Sequence, residues 1–198
     1  NNIKKCVLIS TDKAVNPVNL YGASKLAAEK IFLNANYLSV KSKTIFSVVR
    51  YGNVIGSKGS IIPLFAQLIK QGKEITLTDI NMTRFWISYD QAVKFVLNSH
   101  CSSKSFETYV PILKSTKILN LAKIMNSKTK IKIIGIKKGE KIHEELISSE
   151  EFNYLSKEKN SYVINVNRKP KKNKFFSDAY TSKNCLIERP LPEHLKII

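Results

Sequence analysis

The sequence has 198 residues, 43% of them hydrophobic, with a formal net charge of +18. That length supports one domain, or one with a small appendage, around a buried core. It contains no run of about 18 apolar residues, so no membrane-spanning helix is expected. The positive charge comes almost wholly from lysine, with arginine only at Arg50, Arg84, Arg168 and Arg189. Lys, Asn and Ile share AT-rich codons, which is sufficient cause for the excess. Arginine, the commonest bidentate reader of guanine, is scarce, so no nucleic-acid partner is expected. Cys6, Cys101 and Cys185 lie far apart, as do His100, His143 and His194. They are expected to be free thiols and isolated imidazoles with no metal between them. The opening residues, NNIKK, have neither Met nor a long apolar stretch, so they read as a cut into an existing fold rather than a signal peptide.

Hydrophobic patterning predicts a strand over 3–10 (IKKCVLIS), then a helix over 20–37 with Leu26, Ala27, Ile31 and Leu38 on its apolar face. A β-branched and aromatic strand follows at 44–49 (TIFSVV). A helix over 60–70 starts at Ser60 and stops near Gly72. Next come a strand at 74–77, a helix at 88–99 begun by Ser88, and a strand at 108–112. The series closes with a helix at 115–125, a strand at 131–136 and a helix at 141–147. Beyond Ser149 the chain turns polar, interrupted by one apolar strand at 162–166; the basic stretch 168–174 reads as solvated. Alternating strands and helices point to an α/β fold with a largely parallel sheet.

Tyr21 and Lys25 are spaced to share one helix face, where an ammonium favours the ionised form of a neighbouring phenol. Such a phenol takes a proton from a sugar hydroxyl as a hydride leaves for nicotinamide. Ser10, Thr11, Asp12 and Lys13 lie at the carboxyl end of the first strand, where open α/β sheets bind ligands. Thr11 suits a hydrogen bond to the reacting hydroxyl, and Asp12 and Lys13 suit an acid and a base. In extended chain these two neighbours point in opposite directions and need not pair. A G-x-G-x-x-G fingerprint is absent; Gly52, Gly56 and Gly59 follow the second strand at the wrong spacing for a pyrophosphate turn.

Residues 10–25 (STDKAVNPVNLYGASK) resemble the active-site stretch of extended short-chain dehydrogenase/reductases. More narrowly they resemble the inverting UDP-N-acetylglucosamine 4,6-dehydratases of polysaccharide biosynthesis. The likeness continues through 50–63 (RYGNVIGSKGSIIP), 82–88 (MTRFWIS) and 133–144 (IIGIKKGEKIHE), and more loosely at 180–184 (YTSKN). It implies a C-terminal part of a Rossmann-like doubly wound parallel sheet plus a small substrate-binding α/β region. Residues 1–149 would hold these and 150–198 a polar extension.

By the same resemblance, Tyr21 and Lys25 are the redox pair on an NADP cofactor, which Ser10 also contacts. Thr11 assists at the C4 hydroxyl, Lys13 removes the C5 proton and Asp12 is the acid at the C6 hydroxyl. Asn53, Ser57 and Lys58 contact the nucleotide-sugar, Lys137 and Glu140 lie near the uridine, and Arg84 orients a wall of the cleft. The implied activity is a lyase producing a UDP-4-keto-6-deoxy sugar for surface or flagellar glycans of the pseudaminic-acid type. The implied protein is a cytoplasmic homo-oligomer. Tyr21 favours the short, inverting type over the membrane-anchored retaining one, which usually has Met there. Three features depart from the family pattern. The cofactor's pyrophosphate half is not in the sequence, Lys137-Lys138 replaces Arg-Pro, and Ser105-Phe106-Glu107 lacks the usual Gly. A UDP-sugar epimerase of the same superfamily, or an inactive basic remnant, is the alternative.

Overall fold

Short β-branched runs alternate with helical stretches, and a computed structural model shows where each begins and ends. It describes residues 3–39, 41, 43–171 and 179–187; Arg189 and His194 fall outside them. The first elements are β1 (Lys5–Ile9), a 3-10 turn (Asp12–Ala14), α1 (Leu20–Leu38), β2 (Ile45–Val49), β3 (Asn53–Val54), α2 (Ile61–Lys70), β4 (Ile75–Leu77) and β5 (Thr83–Ile87). Then come α3 (Tyr89–Ser102), β6 (Thr108–Pro111), β7 (Ser115–Lys117), α4 (Ile118–Met125), β8 (Ile131–Ile133) and β9 (Glu145–Ile147). A second 3-10 turn (Glu151–Tyr154), β10 (Leu155–Lys157), β11 (Ser161–Ile164) and β12 (Tyr180–Thr181) follow.

The chain divides into two units. The first comprises Asn1–Gly52, Tyr89–Ile112 and Glu145–Thr181; the second comprises Asn53–Ser88, Leu113–Glu144 and Ser182–Ile198. In the first unit a five-stranded sheet has the order β1-β2-β6-β11-β10. β1, β2 and β6 run parallel, and β11 and β10 add antiparallel. The stretch beyond 149 thus supplies two strands of this sheet. Val49, Tyr109 and Val163 form a core on it, joined by Val7, Phe95 and Val96. β9 and β12 make a separate antiparallel pair. In the second unit β3-β5-β7 and β4-β8 form two small sheets. α2 and α4 bring Ile62, Phe65, Ile118 and Leu121 against Ile75, Leu77, Met82 and Trp86.

Three expectations are corrected. Residues 141–147 are not a helix; their last three form β9, whose partner β12 is over 30 residues downstream and invisible to a local pattern. Residues 115–117 pair with β5 as β7, so that helix is confined to Ile118–Met125. On α1 most of the expected apolar face is turned outward, with Ile31 72% and Leu38 89% exposed and Ala27 exposed, while Leu26 is half-buried. The buried residues of α1 are Gly22, Glu29 and Asn36. Polar groups tolerate the interior when paired, and Asn36 is: its amide donates to Phe46 O at 2.8 Å and its carbonyl accepts from Phe46 N at 2.9 Å.

Candidate active site

The first unit assembles one group of predicted residues. Beyond β1, the Ser10 N–H donates to Val49 O at 2.7 Å and the Asp12 N–H to Tyr51 O at 3.1 Å, so the chain stays on the end of β2 before turning. The turn is 3-10, and that changes the Asp12–Lys13 geometry. Three residues per turn bring neighbouring side chains round, where an extended chain would throw them apart. Two side chains that need not pair in extended chain therefore do pair here: Lys13 Nζ donates to Asp12 Oδ1 at 3.0 Å. The Thr11 hydroxyl donates to the same oxygen at 2.9 Å. The Asp12 carboxyl is fully buried, and its Oδ2 has no hydrogen-bond partner among the described residues; Ser10 Oγ is likewise buried and unpartnered.

α1 begins next to this turn. Asn19 caps it, accepting from the Gly22 N–H at 2.9 Å. A Cβ on Gly22 would stand 2.3 Å from the Lys13 carbonyl oxygen and 2.9 Å from Pro17 Cβ, so only glycine permits this approach. Tyr21 is 53% exposed and Lys25 half-buried, four residues apart on α1. Burial pushes the Tyr51 phenol up from its ordinary value, and the charge of Tyr21 adds to the shift. A nicotinamide cofactor fits this strand end. The buried Ser10 hydroxyl has no partner among the described residues, and Tyr21 and Lys25 offer a phenol and an ammonium from one helix face.

The second unit carries the other group. Asn53 is on β3, with a buried Oδ1 that has no hydrogen-bond partner among the described residues. After it Gly56 and Gly59 take φ of 74° and 76°, left-handed values that favour glycine, and Ser57 and Lys58 between them are exposed. The loop leads into α2, whose first residues follow Ser60; the Ser60 Oγ makes no cap and is also buried, with no partner among the described residues. Lys137 and Glu140 share an exposed turn, closed by the Glu140 N–H to Lys137 O at 3.1 Å. Arg84 is occupied internally. Its guanidinium donates to the carbonyls of Thr83, Ile142 and Lys141 at 2.7, 3.1 and 3.0 Å and lies 3.6 Å from Glu144.

Sequence reasoning missed Gly22, Tyr51 and the buried Glu29–Arg50 pair. An isolated glycine inside a helical pattern was the available signal for the first. A Glu and an Arg 21 residues apart carry no such signal.

The parallel β1-α1-β2 unit, with its acid–base turn at the strand end and a Tyr–Lys pair on the following helix, belongs to a Rossmann-like α/β protein. More particularly, residues 1–166 match the family described as polysaccharide biosynthesis protein, and the chain belongs to that family. Two relatives, from two strains of Campylobacter jejuni subsp. jejuni, are named UDP-N-acetylglucosamine 4,6-dehydratase (inverting). One is 50% identical over 165 residues, covering 83% of this chain and 49% of its own. The other is 46% identical over 191 residues, covering 95% and 57%. Among solved structures, the X-ray structure of Pen from Bacillus thuringiensis is 34% identical with a TM-score of 0.84, over 92% of this chain and 58% of that one. The chain thus spans about half the length of the curated relatives it matches. Among the described residues no helix is long and apolar enough to cross a membrane.

Proposed function

We propose that this chain is part of an inverting UDP-N-acetylglucosamine 4,6-dehydratase, a lyase making a UDP-4-keto-6-deoxy sugar for surface glycans. The observation that carries the reading is the Thr11–Asp12–Lys13 cluster beside the start of α1. Asp12 and Lys13 are 3.0 Å apart. Moving one proton between them converts an ion pair into a carboxylic acid beside a free amine, at no change in net charge. The second form holds the acid and the base that dehydration needs.

A nicotinamide cofactor, taken as NADP, would supply hydride acceptance at C4 and hydride return at C6. Ser10, Tyr21 and Lys25 would hold its nicotinamide end. Tyr21 takes the proton of the C4 hydroxyl, which Thr11 holds. The C4 ketone acidifies C5–H, and the Lys13 amine removes that proton. Asp12 protonates the C6 hydroxyl, which leaves as water, and the pair returns to its ionic form. Inversion follows when a proton reaches C5 from the opposite face. On the second unit, Asn53, Ser57, Lys58, Arg84, Lys137 and Glu140 are assigned to the nucleotide-sugar, and backbone amides of a glycine-rich loop suit its diphosphate. The internal carbonyl partners of Arg84 make its share mainly the shaping of that wall.

Incubating the full-length protein with NADP⁺ and UDP-N-acetylglucosamine tests this. A product lighter by one water is expected, with NMR couplings of an inverted C5. An unchanged mass with an altered C4 would replace dehydration by epimerisation. Lys13→Ala should abolish exchange of the C5 proton with solvent, and retained exchange would remove Lys13 as the base.

A further inference from the structure

Arg50 follows β2 directly and is only 3% exposed. Its N–H groups all point at acceptors. Nε donates to Glu29 at 2.9 and 3.0 Å, and Nη2 reaches Glu29 Oε2 at 2.6 Å and Glu151 Oε1 at 2.8 Å. Nη1 donates to Glu151 Oε2 at 2.8 Å and to Leu146 O at 3.3 Å. Burial alone would lower the Arg50 pKa; the carboxylates of Glu151 and Glu29 outweigh it and raise it.

The partners matter more than the pairing. Glu29 stands four residues after Lys25 and eight after Tyr21 on α1, roughly on their side of the helix. Leu146 is on β9, whose Glu145 receives the Asn16 amide at 2.8 Å, and Asn16 closes the loop that holds Asp12 and Lys13. Next to Arg50, the Tyr51 carbonyl holds the Asp12 N–H. One planar cation therefore fastens the helix bearing the Tyr–Lys pair to both supports of the acid–base turn.

We infer that Arg50 is a positioning residue for the reaction, setting Tyr21 and Lys25 against Asp12 and Lys13 through Glu29. The inference rests on the dehydratase reading. A lysine keeps the charge but loses the fork that engages two carboxylates at once. Misplacement of reacting groups by about 1 Å costs on the order of 100-fold in rate.

The experiment compares wild type, Arg50→Lys, Glu29→Gln and Glu151→Gln in the full-length protein, each first checked by circular dichroism. Arg50→Lys should lose about 100-fold in kcat with KM for UDP-N-acetylglucosamine within about twofold of wild type. Glu29→Gln should lose kcat in the same way. Glu151→Gln, which weakens the hold on Arg50 from its other side but leaves the Glu29 pair in place, should lower Tm and cost less in kcat than Glu29→Gln. A folded Arg50→Lys with wild-type kcat overturns the inference. So do Glu29→Gln and Glu151→Gln that lose kcat in proportion to Tm, because that pattern is purely structural. If wild type itself forms no dehydrated product, the dehydratase reading fails first and takes the inference with it.

Discussion

At the scale of single residues, the decisive contact is the one Gly22 allows. The atom its Cβ would meet is a backbone oxygen, which no rotamer change can move aside. Gly22→Ala must therefore push the 3-10 turn off the helix. Overpacking of this kind costs about 1–3 kcal/mol. The expected result is a Tm lower by several degrees with a fall in turnover, since Lys13 rides on the displaced turn; a melting curve matching wild type would show that the turn adapts. Phe106 is the contrary case. It takes φ of 65° within the Ser105-Phe106-Glu107 stretch, where the resemblance implies a glycine before the next strand, and its ring lies 4.6 Å from that of Tyr37. The departure was legible in the sequence, and its structural setting is a left-handed residue held by an aromatic neighbour. The Tyr21–Lys25 spacing was legible too, because helix periodicity is a local property. The Asp12–Lys13 pairing was not, because it depends on a three-residue turn whose tightness is imposed by the ends of β2 and α1.

At the scale of elements, α1 shows why the inward face was misread. Its apolar spacing is real, but a buried face is chosen by what lies opposite: the Phe46 ring of β2 meets Phe32, while the Phe46 backbone and Arg50 take Asn36 and Glu29. The same ties respond to pH, in two windows. Burial pushes the Glu151 carboxyl up, but the Arg50 guanidinium outweighs this and holds it below its ordinary 4.5. The unfolded chain then takes up the proton first, so this tie is at full strength above about 4.5 and is lost as pH falls through the folded value. In the second unit, burial and then the charges of Lys183 and Arg84 push His143 below its ordinary 6.5. Its Nδ1 lies 2.8 Å from the Thr83 hydroxyl, which is 2.7 Å from that of Ser182. Here too the unfolded form binds the proton first, so the contribution is whole above about 6.5 and declines below it. Hydrogen exchange on lowering pH should therefore loosen peptides around Thr83 and His143 before those around Arg50 and Glu151. Simultaneous loosening would mean that neither tie governs its own unit.

At the scale of the molecule, each unit is stitched from three separated stretches of chain, and that is where sequence reading was weakest. The alternation of strands and helices disclosed an α/β protein. It could not disclose that β11 would lie beside β6 or that Ser182 would accept from the Glu144 N–H at 2.8 Å, since both depend on distant partners. The saturated guanidinium of Arg50 gives this stitched architecture a chemical fingerprint. Dicarbonyl reagents such as phenylglyoxal attack arginine through free N–H groups. The side chain of Arg168 is 47% exposed, that of Arg84 12% and that of Arg50 3%. Mass-mapped labelling should reach Arg168 in the folded protein, Arg84 only slowly, and Arg50 only once β2 and α1 have parted. The last of these three arginines to react is then a clock for the opening of the first unit.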